Sequence, residues 1–208
     1  VPAFAGSFGI GYLGLRGSYV TAEDQATTSS VIDDQRTFKD GWGVTGFMGF
    51  VIDEALRGEI EAGYRINNIE KVRVDRNALL PASAGNEFNV DGQVDMGLAM
   101  VNLYYDFHIE GLPVLPWVGV GVGGGHVNYQ FIYDYGDPLA PAMADASDWQ
   151  FAYQLMAGVT VPVGQSTSMS LGYRYFKTEE MVFTDAYANE FRTDLTNQSL
   201  DVGLQFHL

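Results

Sequence analysis

The feature of this sequence that most limits its fold is an alternation of apolar and polar residues at every second position. Successive side chains of a β-strand point to opposite faces of the sheet, so this period predicts strands with one apolar face. In 58–66, Ile60, Ala62, Tyr64 and Ile66 alternate with Glu59, Glu61 and Arg65. The last nine residues repeat the pattern, with Leu200, Val202, Leu204, Phe206 and Leu208 between Asp201, Gly203, Gln205 and His207.

Eight segments of this kind divide the chain, and their connections alternate in length. The segments lie at about 8–20, 41–52, 55–67, 93–108, 114–128, 149–162, 167–177 and 195–208. Long polar stretches lie at about 21–40, 68–92, 129–148 and 178–194, and short turns at 53–54, 108–113 and 162–166. This order predicts an all-β, eight-stranded antiparallel up-and-down barrel with four long loops at one end and three short turns at the other. No linker or repeat marks a second domain, so we expect a single barrel domain over 1–208.

The apolar face points outward in a membrane barrel and inward in a soluble one, such as a lipocalin. In 117–123, valines alternate with glycines, and glycines suit the crowded interior of an eight-stranded barrel. The polar face carries charges of both signs, which persist in an interior when they are paired. We therefore predict a transmembrane barrel with a lumenal charge network of Arg16, Glu59, Glu61, Arg65, Arg174 and Asp201. Aromatic girdles are predicted on its outer face, at Tyr19, Trp42, Phe50, Tyr105, Phe107, Phe151, Tyr173, Tyr175 and Phe206.

Composition excludes several functions. The chain has 26 acidic and 11 basic residues and a net charge of −15, which argues against a nucleic-acid partner. It has no cysteine, hence no disulfide, zinc–thiolate cluster or thiol nucleophile. It contains no run of 18 apolar residues, so no transmembrane helix is predicted. Counted over 20–40, 67–93, 127–148 and 177–197, the long polar stretches hold 18 of the acids and 7 of the bases, so most of the negative charge lies in the loops.

Candidate chemical sites are few. The three histidines, His108, His126 and His207, are expected to be structural or solvated, and no triad spacing accompanies them. A G-x-G-x-x-G pattern at 119–124 lies inside a strand with no helix after it, so it does not predict a dinucleotide site. Acids of one loop lack the spacing of a calcium loop, at Asp134, Asp137, Asp145 and Asp148. We expect no metal, cofactor or catalytic residue. Three bases are predicted to contact lipopolysaccharide phosphates: Lys71, Arg73 and Arg76.

Six fragments in order carry a family resemblance: 58–65, 102–107, 116–123, 152–159, 171–175 and the C-terminal strand. On these the chain resembles the small outer-membrane β-barrels of Gram-negative bacteria, in the superfamily of the outer membrane protein A transmembrane domain. It is most similar to the alphaproteobacterial surface-antigen branch. The resemblance implies the cell outer membrane, with four long extracellular loops and three short periplasmic turns. It implies that Glu61 matches the family's lumenal acid. It also implies assembly by the barrel assembly machinery, which reads a C-terminal strand usually ending in Phe or Trp; here the last residue is Leu208.

The expected function is structural or one of surface interaction: membrane integrity, contacts through the loops, or a surface antigen. The alternative is a narrow porin-like channel or a carrier of small hydrophobic molecules, and an enzyme ranks third. The expected partners are outer-membrane lipid, lipopolysaccharide and the assembly machinery. A monomer is the default expectation, and a homo-oligomer is left open because lipid-facing and subunit-facing surfaces are both apolar.

Overall fold

The computed structural model describes residues 10–29, 32–77, 84–132, 146–184 and 190–208, and in these ranges the regular structure is β-strand. No helix in the described ranges has the length and apolar character needed to cross a membrane. The strands are β1 (Ile10–Ala22), β2 (Gln25–Ser29), β3 (Ile32–Phe38), β4 (Gly41–Val51), β5 (Leu56–Asn77), β6 (Glu87–Asp106), β7 (Leu115–Ile132), β8 (Ala146–Pro162), β9 (Thr167–Thr178), β10 (Met181–Thr184), β11 (Glu190–Thr193) and β12 (Thr196–His207).

Eight of these strands form a closed antiparallel ring. The order around the ring is β1, β4, β5, β6, β7, β8, β9 and β12, and β12 pairs with β1 to close it. The closing ladder runs from the pair Tyr12–His207 to the pair Ala22–Asn197. Every wall strand therefore has two neighbours, which removes the unpaired edges that a bilayer does not tolerate. The predicted eight-stranded up-and-down barrel is confirmed.

The exposed side of the ring is apolar. Leu15 is 63% exposed while its neighbour Arg16 is 5% exposed. The same contrast follows the whole wall, for example along β12, where Leu200 and Val202 are exposed and Asp201 is buried. A soluble barrel requires the opposite arrangement, so this outer surface is suited to lipid.

Aromatic side chains ring the outer surface at both ends of the wall. At the extracellular end, the outward Tyr19 pairs across the sheet with Trp42, and both are more than half exposed. The hydroxyl of Tyr19 donates a hydrogen bond to the carboxylate of Asp40. At the other end, Tyr105 and Phe107 make an edge-to-face contact with ring centroids 5.0 Å apart. Amphipathic rings at these two levels are typical of the girdles of membrane barrels.

The long polar stretches differ from the prediction because much of their length is strand. β5 has 22 residues and β6 has 20, and both continue well past the girdle. On the edge of β5 opposite β6, the short strands continue the sheet in the order β3, β2, β11 and β10. β2 has polar side chains at most positions and therefore shows no apolar period. For this reason the sequence pattern alone does not indicate a strand there.

Glycines on the inward face accept the large side chains of neighbouring strands. The indole of Trp117 lies over Gly158 and Gly172, which face it on β8 and β9. A Cβ at Gly158 would stand 2.5 Å from the Trp117 ring, which is closer than atoms can pack. The phenol ring of Tyr12 occupies the equivalent space above Gly49. Glycines and rings together fill the narrow interior, in agreement with the predicted crowded lumen.

Candidate functional site: the charged lumen

A buried carboxylate, Glu61 on β5, lies at the centre of the lumen. It is fully buried, and its two oxygens accept hydrogen bonds from three side chains. Arg16 Nη1 lies 2.9 Å from Oε2, Arg174 Nη1 lies 2.6 Å from Oε1, and Gln154 Nε2 lies 2.8 Å from Oε1. Gln154 also donates to the side-chain oxygen of Asn102 at 2.7 Å. Glu61 is thus the hub of the network, with donors from three other strands.

A second group of charges lies on the periplasmic side of this hub. Glu59 accepts from Arg16 Nη2 at 3.2 Å, from Arg57 Nη1 at 2.9 Å and from the Tyr12 hydroxyl at 2.8 Å. Arg57 Nε then donates to both carboxylate oxygens of Asp106, at 2.9 and 3.0 Å. Each buried acid here has a charged donor, which is the condition under which charges remain stable inside a protein.

The third group links the hub to the strand that closes the barrel. Arg174 Nε on β9 donates to Asp201 on β12 at 2.9 Å, while Arg174 Nη1 reaches Glu61 on β5. The Ser199 hydroxyl donates to the other oxygen of Asp201 at 2.8 Å. Because β5 and β9 lie on opposite sides of the ring, this one arginine braces the two walls against each other.

Aromatic rings also contact the lumenal arginines. The Cζ of Arg57 lies 4.2 Å from the ring centroid of Tyr104, and Tyr104 makes an edge-to-face contact with Trp117 at 5.4 Å. The Cζ of Arg16 lies 4.4 Å from the ring centroid of Phe47. Such cation–π contacts favour arginine, whose planar guanidinium stacks on rings. They complete the filling of the periplasmic half of the lumen.

Arg65 differs from the other arginines. It is 2% exposed, and its Nε, Nη1 and Nη2 atoms have no hydrogen-bond partner in the described part of the chain. Its Cζ lies 4.8 Å from the ring centroid of Phe176, which projects from the opposite wall on β9. The structure therefore places all six residues of the predicted lumenal network in the interior, pairs five of them, and leaves Arg65 with only a ring contact.

Sequence reasoning missed several members of the network. Arg57 and Asp106 form one of its ion pairs, and Gln154 and Asn102 connect the hub to β8 and β6. Arg57 has the same parity as Glu59 and Glu61, so extending the alternation back by two residues would have found it. Gln154 and Asn102 carry no charge, and an uncharged polar residue on a strand gives no comparable signal.

The bases predicted to contact lipopolysaccharide lie on the part of β5 that extends beyond the girdle. Each has an acidic partner: Lys71 Nζ lies 2.7 Å from Glu87, Arg73 Nε 3.2 Å from Asp75, and Arg76 Nε 2.7 Å from Asp33. The hydrogen bond and charge of Glu87 raise the pKa of Lys71, and Lys71 lowers the pKa of Glu87. Phosphate contact by these bases stays a prediction, and any phosphate must compete with the acids.

The remaining candidates show little convergence. Ser168 Oγ lies 3.0 Å from His207 Nε2, the ring of His126 meets that of Trp149 edge-on, and His108 is exposed. Among the described residues no group of three or more His, Asp or Glu side chains is arranged to hold a metal ion. The loop acids Asp134, Asp137 and Asp145 lie outside the described residues, and so does the side chain of Asp148.

Comparison with known families and sequences identifies relatives over most of the chain. The family model described as surface antigen matches residues 13–203. An uncharacterised protein of Brucella abortus (strain 2308) is 26% identical over 156 residues, covering 69% of this chain and 54% of the relative. An uncharacterised protein of Brucella suis biovar 1 (strain 1330) matches with the same identity and coverage. The chain thus spans about half the length of the curated relatives it matches.

Solved structures with the same fold are outer-membrane proteins. Neisserial surface protein A (NspA) is 16% identical, with a TM-score of 0.55 over 95% of this chain and 96% of that chain. The outer membrane protein OprG from Pseudomonas aeruginosa is 14% identical, with a TM-score of 0.59 over 97% and 99%. The outer membrane protease OmpT from Escherichia coli is 9% identical, with a TM-score of 0.53 over 99% of both chains. At these identities the likeness shows the fold alone. The family match and the barrel fold together indicate the cell outer membrane.

Replacement of the hub acid should destabilise the barrel strongly. In Glu61→Ala, Arg16 loses one of its two carboxylate partners and Arg174 one of its two, so buried positive charge is left under-compensated. We expect a loss of about 3–5 kcal/mol in the free energy of unfolding, measured by urea titration of the barrel refolded in lipid vesicles.

Glu87→Ala is the matched control, because Glu87 also pairs with a base but lies on the exposed extension. Its unfolding curve should superimpose on that of the wild type, since exposed ion pairs contribute little. Equal midpoints for Glu61→Ala and Glu87→Ala would contradict a structural role for the lumenal network.

Proposed function

Because the chain belongs to the surface antigen family, we propose that this outer-membrane surface protein is a non-conducting structural and surface-interaction barrel. Its wall stabilises the outer membrane, and its extracellular strands and loops make contacts at the cell surface. The observation that supports this proposal most directly is the filled lumen. In the described part of the chain, six ion pairs join the buried side chains of the network in the interior, and a seventh buried pair, Arg36–Asp34, lies on β3.

The order of inward residues along β5 shows how the interior is filled from the periplasmic end outward. Arg57, Glu59 and Glu61 belong to the ion-pair network, Arg65 stacks on the opposite wall, and Ile69 belongs to an apolar cluster. All five are at most 8% exposed. A hydrated solute moving through this interior would have to separate paired charges at low dielectric, which is costly.

The rival function is transport, either through a narrow channel or by carriage of small hydrophobic molecules. The ion pairs make a steady open channel unfavourable, since each charge would need a new partner or water when the pairs separate. The fold is shared with a protease of Escherichia coli, but at 9% identity this likeness does not extend to chemistry. The paired carboxylates and arginines are engaged with one another, which favours a bracing role over acid–base work.

The extracellular extension supports the surface-interaction part of the proposal. β5 and β6 continue as a paired ladder to Arg73 and Glu87, and the short strands β2 and β3 pair alongside β5. Strands paired in this way hold their exposed faces in a defined arrangement, whereas an irregular loop would not. The four long polar stretches of the sequence together carry most of the acidic excess, so their charge favours cationic or cation-bridged partners.

Deletion of the gene in its source bacterium distinguishes a structural barrel from a channel. A structural barrel predicts increased entry of a hydrophobic dye, such as N-phenylnaphthylamine, because the lipid barrier weakens when a protein that stabilises it is lost. Uptake of small hydrophilic sugars should be unchanged. Re-expression of the wild-type chain should restore the barrier. A deletion strain with reduced sugar uptake and normal dye exclusion would contradict the proposal and favour a channel.

Lipopolysaccharide contact by the bases Lys71, Arg73 and Arg76 is a further part of this proposal. The triple alanine variant should co-purify with less lipopolysaccharide than the wild type, because phosphate binding needs cationic partners. Lys177→Ala is the control, since Lys177 is also paired with an acid, Asp194, at 2.7 Å. Co-purification that is equal in the triple variant and the wild type would contradict this contact.

A further inference from the structure

The unpaired guanidinium of Arg65 is the group in the lumen whose environment the bracing role does not explain. The other three lumenal arginines, Arg16, Arg57 and Arg174, each donate to at least two oxygen atoms. Arg65 is as deeply buried as they are, yet none of its three nitrogens has a hydrogen-bond partner among the described residues. A buried donor without a partner costs free energy, and a charged one costs more. A bound ligand with an acceptor oxygen would supply the hydrogen bonds that Arg65 does not receive from the described residues.

The acids nearest to Arg65 in the network are already engaged. Glu61 accepts from Arg16 and Arg174, and Asp201 accepts from Arg174 and Ser199. Both carboxylates therefore already have donors. The network holds the acids Glu59, Glu61, Asp106 and Asp201 and the bases Arg16, Arg57 and Arg174. With Arg65 these charges balance, so a bound monoanion leaves one excess negative charge and a dianion leaves two.

Apolar side chains border Arg65 on its extracellular side. Arg65 pairs across the sheet with Met96, and Met96 with Val127. Met96, Val127 and Phe176 belong to one buried apolar cluster, whose other members include Ile69, Val94 and Leu195. Methionine is unbranched and adaptable, so Met96 can move aside more readily than a branched residue. A charged group bordered on one side by apolar side chains matches a ligand with an anionic head and an apolar tail.

We propose that the extracellular half of the lumen binds a small monocarboxylate with an alkyl tail, with Arg65 as its anion-binding residue. The planar guanidinium donates to both carboxylate oxygens, a geometry in which arginine is the preferred partner. Phe176 holds the guanidinium plane from the opposite wall, and the alkyl tail lies among Met96, Val127 and Leu195. The ligand enters from the extracellular end because the ion-pair network fills the periplasmic half. Binding therefore adds a ligand site to the barrel without opening a path through it.

Titration of the wild-type barrel in lipid nanodiscs tests the site directly. The probe is hexanoate, and the readout is the Nε–Hε resonance of Arg65 in a sample labelled with ¹⁵N-arginine. We expect a saturable shift of this resonance, with an affinity at least about tenfold higher than for acetate because the longer tail is buried. Hexanol should cause no saturable shift, and hexyl phosphate should bind more weakly than hexanoate.

Two variants complete the test. Arg65→Met should abolish saturable hexanoate binding as measured by calorimetry. Lys39→Met, the control, removes an exposed positive charge and should leave hexanoate binding unchanged. If Arg65→Met does not fold, the saturable shift of the Arg65 resonance in the wild-type barrel still tests the proposal. The proposal is overturned by equal affinities for hexanoate and acetate, by tighter binding of hexyl phosphate, by equal effects of hexanol and hexanoate, by binding that survives Arg65→Met, or by no saturable shift.

Discussion

The hydrogen-bonding needs of the backbone in lipid determine the rest of this structure. Hydrocarbon offers no partner to a peptide N–H or C=O group, so strands can cross a bilayer only when every wall strand is paired on both sides. The eight long strands meet this requirement, with β12 pairing with β1 from Tyr12 to Ala22. Closure at eight strands also leaves an interior wide enough for side chains and little more.

The narrow interior in turn explains the distribution of residue types. Large side chains fit only where the neighbouring strands carry glycine, as where Trp117 lies against Gly158 and Gly172. Apart from Arg65, the charged side chains of the network are paired, as Glu61 is by Arg16 and Arg174. Both arrangements tie strands on different sides of the ring to one another. The periplasmic half of the interior is therefore a bracing core built from polar and aromatic groups, while apolar residues cover the outside of the wall.

The alternation at every second position was sufficient to predict the ring, its antiparallel order and the outward apolar face. It also indicated Arg16, Glu61 and Arg174, because a charge at an inward position of a lipid-facing strand must lie in the lumen. The extracellular strands could not be predicted in this way. β2 lacks an apolar period, and the outer part of β5 buries its apolar residues Val72 and Val74 instead of presenting them to lipid. Pairing partners within the lumen were also beyond sequence, because they depend on which inward residues meet across the barrel.

Arg65 shows the same limit most clearly. Its position on the inward face follows from parity with Glu61, but its lack of a hydrogen-bond partner depends on the contacts that Glu61 and Asp201 make elsewhere. The ion pairs fill the periplasmic half of the lumen, and the apolar cluster lies beyond Arg65 together with the buried pair Arg36–Asp34 of β3. The proposed ligand site lies at the border between these two parts and needs no path through the periplasmic half.

The claim on which this account depends is that the paired charges seal the lumen. Single-channel recording of the purified barrel in planar bilayers tests it most directly. The account predicts a flat current trace after insertion, or rare openings of very small conductance. Stable, large conductance steps from the wild-type protein would show a continuous aqueous path through the lumen and would contradict it.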